Sequence, residues 1–423
     1  MTLLEQPTVL VAPVASPIHV ERAIEPSKRA RELLQEAGLK VFGPDKPVTK
    51  IEEFPVIAEE YDAMVFFVAS GGTSELIKTL MNNKSAILWA YHENNSLPSA
   101  LSARERLIAL GGWKGTIVYN SLNAAPLEIV AEAQANRLLR NLKGLRIGVI
   151  GDEEDFSKAS TDAEILKMNF GVEIVCLPFD KLKQEWSRIA DRMADFVVKE
   201  RLVKAEVVEP SQKDLVKSAK LYLALKKIVV DEKLDAVTLD CFKFLKRTGC
   251  TPCLSFACLN DDGFNGVCEA DLRAAVVTLM FRVLTGHPSW VSNLVQIDKT
   301  LGTIACAHCT AAMSLSEPGR ITRVRTHFES GLSVSLDVPL MRRLATLVNL
   351  QIKPLKMTII VGEVIDSQMG HLTICRTQAK IKPMGDVSRL LEDTGNHHVL
   401  AYGDWSATLA QVAKRSGITV VKV

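Results

Sequence analysis

Short β-branched runs alternating with amphipathic stretches constrain this chain more than any other feature of its sequence. From Thr8 to Asn120 they come in the order TVLVAPVAS, RARELLQEAG, DAMVFFVAS, SELIKTLM, SAILWAY and TIVYNS, which reads as βα units around a parallel sheet. The run after Asp62 ends in Ser70-Gly71-Gly72-Thr73 before a helical pattern. That places a polar turn at the carboxyl edge of the sheet, where open α/β folds bind ligands; a plain βα turn needs glycine for the same backbone angles. After a helix over about 127–142, Lys143-Gly144 introduces LRIGVIGD and a second α/β series, with EIVCLP, charged helical stretches over 181–207 and 211–231, and the strand AVTLDCF. Gly148 and Gly151 lack the third glycine and the full spacing of a dinucleotide fingerprint, so a nicotinamide site is discounted. From about Ser289 the pattern changes to strands with few helices between them, TIACAHCTA, RITRVRTHF, LKMTIIVGEVI and HLTICRTQAKI. The expected fold is α/β: two parallel-sheet, Rossmann-like α/β domains over 1–143 and 144–288, then a mainly β C-terminal domain over 289–423.

Composition narrows the function. With 51 basic against 49 acidic residues, a net charge of +2 offers no broad field for a phosphate backbone or an anionic membrane, which argues against nucleic-acid and membrane partners. The apolar run from Val9 to Val14 has no basic region before it and is interrupted by Pro13, so it fits a first strand better than a signal peptide. No apolar run approaches the roughly 20 residues of a membrane helix. A cytoplasmic protein is expected, its nine cysteines mostly reduced thiols.

The densest polar information lies between Leu254 and Thr310. Asn260-Asp261-Asp262-Gly263 is a turn sequence, and Cys268-Glu269-Ala270-Asp271 enters an apolar helix that ends at Gly286. A carboxylate at a helix start also has a bland role, as a partner of the helix dipole. Cys250-x-x-Cys253 and Cys306-x-x-Cys309 are two pairs of the kind found in structural zinc sites. Their separation is longer than a ribbon or finger requires, and the second pair lies in a strand-like run, so unremarkable thiols are the simpler reading.

The run Asn265-Gly266-Val267-Cys268-Glu269-Ala270-Asp271, the helix closing in Leu284-Thr285-Gly286 and the later Ala307-His308-Cys309 resemble the active-site segment of the L-fucose isomerase-like family, which includes the L-arabinose isomerases. The resemblance implies a metal-dependent aldose–ketose isomerase acting on a pentose or deoxyhexose, with Glu269 as metal ligand and proton carrier. It puts the second ligand at Asn293, where the family has aspartate, and the third in Asn396-His397-His398, with His398 preferred. His308, His397, Asp404 and Trp405 are implied substrate contacts, and the resemblance also implies His327 or Glu329 in the lining of the same pocket. Trimers or hexamers are implied, in which His19 and the Ser70-Gly71-Gly72 turn of one subunit approach the site of another.

Moving a proton between C1 and C2 through an enediol needs a carboxylate near one carbon and a divalent cation polarising the neighbouring oxygens. Oxygen and imidazole donors favour manganese, or magnesium, over a closed zinc site. A second acid–base group is needed, for which Asp298 is the first choice beside Asp271 and Asp404. Asn293 can offer a carbonyl oxygen but no charge, which keeps open a sugar-binding or regulatory protein without turnover. A lyase or epimerase on an acidic sugar would need cations in the pocket, for which Arg273, Arg282 and Lys299 are near in sequence.

Overall fold

The computed structural model describes residues 6–81 and 85–423. Strands β1 (Thr8–Val14), β2 (Lys40–Phe42), β3 (Ala63–Val68), β4 (Ile87–Ala90) and β5 (Thr116–Tyr119) form a parallel sheet in the order β2-β1-β3-β4-β5. The apolar run of β1 explains why helices cover both faces. Val9 and Val11 pack with residues of the helices Val20–Glu36 and Leu127–Leu142, whereas Leu10, Ala12 and Val14 pack with those of Ser74–Met81 and Ser96–Ala109. A strand buried on both sides has no polar alternation to show.

The second sheet is smaller. Strands β6 (Arg146–Gly151) and β7 (Glu173–Pro178) precede a two-residue strand, β8 (Glu206–Val207), and then β9 (Ala236–Leu239) and β10 (Asn265–Val267). Four of them pair in parallel in the order β10-β9-β6-β7. The expectation of two Rossmann-like sheets thus meets one five-stranded sheet in doubly wound order and one of four strands; neither has the six strands of a two-half dinucleotide fold.

The remaining chain forms β11 (Trp290–Asp298), β12 (Thr303–His308), β13 (Arg323–Arg325), β14 (Ser335–Asp337), β15 (Leu344–Ile352), β16 (Leu355–Ser367), β17 (Thr377–Pro383), β18 (His397–Tyr402) and β19 (Thr419–Lys422). The antiparallel order β15-β18-β11-β12-β17-β16 closes through pairing of β15 with β16, giving a six-stranded barrel to which β19 adds in parallel. Adjacent residues divide between two cores, as barrel alternation requires. Leu347, Ile360 and Leu400 pack in one, and Val348, Ile359 and Val399 in the other with the helix Leu272–Thr285. Both cores also contain residues of the second sheet, such as Leu239 and Ala236, so sheet and barrel pack as one body. Strand β8 strengthens that union by pairing with β13. No helix among the described residues is long and apolar enough to cross a membrane.

Candidate functional site

The carboxyl edge of the second sheet meets the barrel at Glu269. Two residues beyond β10, Glu269 and Ala270 both take left-handed backbone angles, φ +62° and +50°, a conformation costly for side-chain-bearing residues and most often held at functional sites. The Ala270 N–H donates to Leu239 O at 3.0 Å, tying this turn to β9. The helix cap is Asp271 rather than Glu269: Asp271 Oδ1 accepts from the Arg273 and Ala274 N–H groups at 2.9 and 3.0 Å. Relieved of capping, the Glu269 side chain turns toward the barrel.

Three barrel strands deliver the groups it meets. Asn293 on β11 lies directly across from His397 on β18 and from Ala307 on β12, and His308 ends β12. Glu269 Oε2 is 3.5 Å from His397 Nε2, and Oε1 is 3.6 Å from His308 Nε2. Those separations are long for hydrogen bonds. The Glu269–His397 separation is near that of two ligands sharing one ion: at bond lengths of about 2.1 Å, adjacent ligands of an octahedral shell sit roughly 3.0 Å apart, a few tenths of an ångström closer than here. His308 Nε2, His397 Nε2 and Asn293 Oδ1 are all buried without a hydrogen-bond partner, and Asn293 and His308 line a cavity of about 30 Å³ with Glu269. Unpaired buried polar atoms carry a cost that an ion between them would remove.

The second ring nitrogens set the tautomers. His397 Nδ1 lies 2.9 Å from Asp271 Oδ2, a carboxylate that can only accept, so Nδ1 keeps its proton and Nε2 is the nitrogen that gives one up to offer a lone pair. His308 is the reverse: its Nδ1 accepts the Cys309 N–H at 2.8 Å, which puts the proton of the neutral ring on Nε2. One imidazole is arranged to coordinate, the other to donate. Burial opposes charge on His397, but Asp271 and Glu269 outweigh it and raise its pKa to about 9. The His308 and His397 rings hold the Glu269 carboxyl well below the usual carboxylate range, against the smaller effect of burial.

A cavity of about 240 Å³ opens on the other side of Glu269, lined by polar side chains that include Asp162, Asp271, Arg273, Asn349, Gln351 and His397. Of Arg273, Arg282 and Lys299, Arg273 reaches it, with Nε 3.2 Å from Asp271 Oδ1 and 3.7 Å from Asp162 Oδ2. Arg282 is buried with NH2 donating to Asn260 O at 2.6 Å, and Lys299 is exposed in the turn after β11.

Of the residues expected from sequence, the structure brings Glu269, Asn293, His308 and His397 together, with His327 and Glu329 at the same small cavity, and sets His398, Asp298, Asp404 and Trp405 apart. His398 is fully buried on the opposite face of β18, where Nε2 lies 2.8 Å from Thr394 Oγ1 and Nδ1 lies 3.0 Å from Asn396 O; burial lowers its pKa to about 4. Asp298 lies five strand residues from Asn293, roughly 16 Å at 3.3 Å per residue, and accepts the Thr300 and Leu301 N–H groups of the hairpin turn. Asp404 and Trp405 follow the far end of β18. Asp404 accepts the Ser406 N–H at a helix start, and Trp405 Nε1 donates to Tyr402 O at 2.9 Å. His327 and Glu329 line the small cavity, whereas His19, Gly71 and Gly72 line a separate one at the carboxyl edge of the first sheet. Asn349 and Gln351 escaped the sequence analysis because nothing local distinguishes them from other strand residues. The role of Asp271 as partner of His397 depends on a contact across 126 positions.

This arrangement defines a class: an α/β protein with a barrel, in which a carboxylate and two imidazoles, with an amide oxygen on the next strand, form a donor set that could hold a metal ion beside a polar cavity. No family model matches the chain. Along nearly its whole length it is similar to the sulfoquinovose isomerase of Clostridium sp. (strain MSTE9), with 23% identity over 439 aligned positions that take in 96% of each chain. That similarity supports a place for this protein among sugar isomerases.

Proposed function

We propose that the protein is an aldose–ketose isomerase that requires a divalent metal, manganese or magnesium, held by Glu269, Asn293 and His397. The observation that carries this reading is the convergence of unpaired Asn293 Oδ1 and His397 Nε2 on an ionised Glu269. When bound, the ion supplies polarisation of the two adjacent sugar oxygens. Glu269, kept ionised at neutral pH, takes the proton from C2 of the aldose and returns it to C1 of the enediol. His308 Nε2–H donates a hydrogen bond to the sugar oxygen on which charge develops, and the hydroxyl proton passes from O2 to O1 across the enediol, which completes the exchange of carbonyl and alcohol. Asp271 fixes the His397 ring, and thereby the position of Glu269. The cavity of about 240 Å³ that borders these groups supports a substrate position against Arg273, Asn349 and Gln351.

The substrate class is a pentose or deoxyhexose. Arg273 favours a second version of it, in which the sugar carries an anionic group, as the substrate named for the Clostridium relative does. Assembly into trimers or hexamers belongs to the same reading, with the His19 and Gly71-Gly72 edge of one subunit over the site of the next.

The test is incubation of metal-stripped protein with neutral and sulfonated aldoses and ketoses in deuterated water, with and without manganese. Expected are metal-dependent isomer formation and deuterium at C2 of the aldose or C1 of the ketose, both abolished by Glu269→Gln. A sugar that binds without reacting or exchanging its proton would leave a binding protein in place of the isomerase.

A further inference from the structure

A second group of ligand atoms lies beside this site, and the chemistry above uses none of them. Cys253 opens the helix Cys253–Asp261, Cys309 follows β12, His327 follows β13 and Cys375 precedes β17. The Cys253 and Cys309 sulfurs and a ring nitrogen of His327 all lie within 4.8 Å of one another, and all three residues are buried. Cys375 lines the same small cavity as these three residues. His327 Nδ1 pairs with Ser330 Oγ at 3.0 Å, which orients the ring and leaves Nε2 free, as in most metal-bound histidines.

Hydrogen bonding alone gives no reason to gather these groups, because a thiol is a weak donor and a weak acceptor. All nine cysteines are free thiols. Nor do the two sequence pairs converge as pairs. Cys250 Sγ meets the Ser218 and Ser333 hydroxyls at 3.8 and 3.5 Å, and Cys306 is buried in the barrel core; one member of each pair comes together with two residues from elsewhere.

We propose that Cys253, Cys309, Cys375 and His327 bind a second metal ion, zinc, in a tetrahedral site distinct from the oxygen and imidazole donors around Glu269. Thiolates with one imidazole select zinc over manganese and magnesium, which prefer oxygen. Each thiol loses its proton to solvent on coordination. The site joins a helix of the second α/β unit to three segments of the barrel region. Cys309 also follows His308 directly and supplies the N–H that sets its tautomer, so zinc on Cys309 braces the strand end that presents His308 to Glu269. The zinc is thus a positioning element for the neighbouring site.

The test strips the full-length protein with a chelator under reducing conditions and titrates it with cobalt(II), which replaces zinc and reports thiolate ligands through a charge-transfer band in the near ultraviolet. The expected result is that band at one equivalent, together with tetrahedral visible bands, both lost in Cys309→Ser and retained in Cys306→Ser. Wild-type protein without a charge-transfer band overturns the proposal whatever the variants do. So does an undiminished band in folded Cys309→Ser, or a Cys253–Cys309 disulfide in freshly purified wild type. Glu269→Gln must retain the band, because it removes only the oxygen site; isomerase activity is scored separately, so loss of one reading leaves the other standing.

Discussion

The proton on His397 makes metal affinity depend on pH in a way that can be worked from the geometry. With its pKa raised to about 9 by Asp271 and Glu269, His397 is an imidazolium at pH 7, and the metal must displace a proton to reach Nε2. Deprotonation two pH units below the pKa costs about 2.7 kcal/mol, so apparent affinity at pH 7 should be about 100-fold weaker than above pH 9, rising nearly tenfold per unit between. Asp271→Asn should alter this without unfolding the protein, since asparagine caps a helix about as well as aspartate. Its amide would face His397 Nδ1, lower the pKa toward the ordinary value and favour the proton on Nε2. Above pH 9, where the proton no longer competes, loss of such an orienting partner weakens metal binding by about 10- to 100-fold, whereas at pH 7 the lowered pKa offsets much of that loss. Manganese affinity is measured anaerobically from the free-ion paramagnetic resonance signal at intervals from pH 7 to 9, and calorimetry in two buffers of different ionisation enthalpy counts the released proton. A wild-type affinity independent of pH, with Asp271→Asn binding as tightly as wild type at pH 9, would refute the assignment of His397 as a ligand held by Asp271.

Three further outcomes follow from the same structure. His397→Gln should abolish manganese binding, whereas His398→Leu should leave affinity unchanged and cost about 1–3 kcal/mol of stability in chemical denaturation, because Thr394 Oγ1 and Asn396 O lose a buried partner. Asn293→Asp adds a negative charge to the ligand set and should tighten manganese binding about tenfold by the same titration. Asp337, 4% exposed on β14, has its pKa raised to about 6 by burial, which outweighs the nearby arginines. A carboxyl raised in the folded state binds its proton more tightly there than when unfolded, so stability falls as pH rises from about 4 to 6, by about 3 kcal/mol. Asp337→Asn should therefore raise the melting temperature at pH 7.5 relative to wild type and leave it nearly unchanged at pH 3.5.

What could be read from the sequence is what depends on local spacing. The uninterrupted apolar run of β1 announces a strand in a parallel sheet, and the change of period after Ser289 announces the β region. Closure of that region into a barrel could not be read, because it rests on β16 pairing with both β15 and β17, with a register shift between Val364 and Asp366. The site divides along the same line. Glu269 lies in a contiguous motif and could be named from it, but His397 and His398 could be told only to face opposite ways. The choice between them is made by the register that sets Asn293 against His397, a pairing across more than a hundred positions. Asp298, Asp404 and Trp405 were attractive because they are close in sequence to the motifs, and an extended strand carries each of them away at about 3.3 Å per residue. The cysteines repeat the lesson in reverse, since the C-x-x-C spacing drew attention to pairs while the fold assembles one member of each with His327, around a small cavity that Cys375 also lines. Asn293, His308 and His397 ride on β11, β12 and β18, and β18 reaches its place beside β11 only after the rest of the barrel has intervened in sequence. A site built this way exists only in the pairing order of the strands, so its chemistry becomes visible with the barrel and not before.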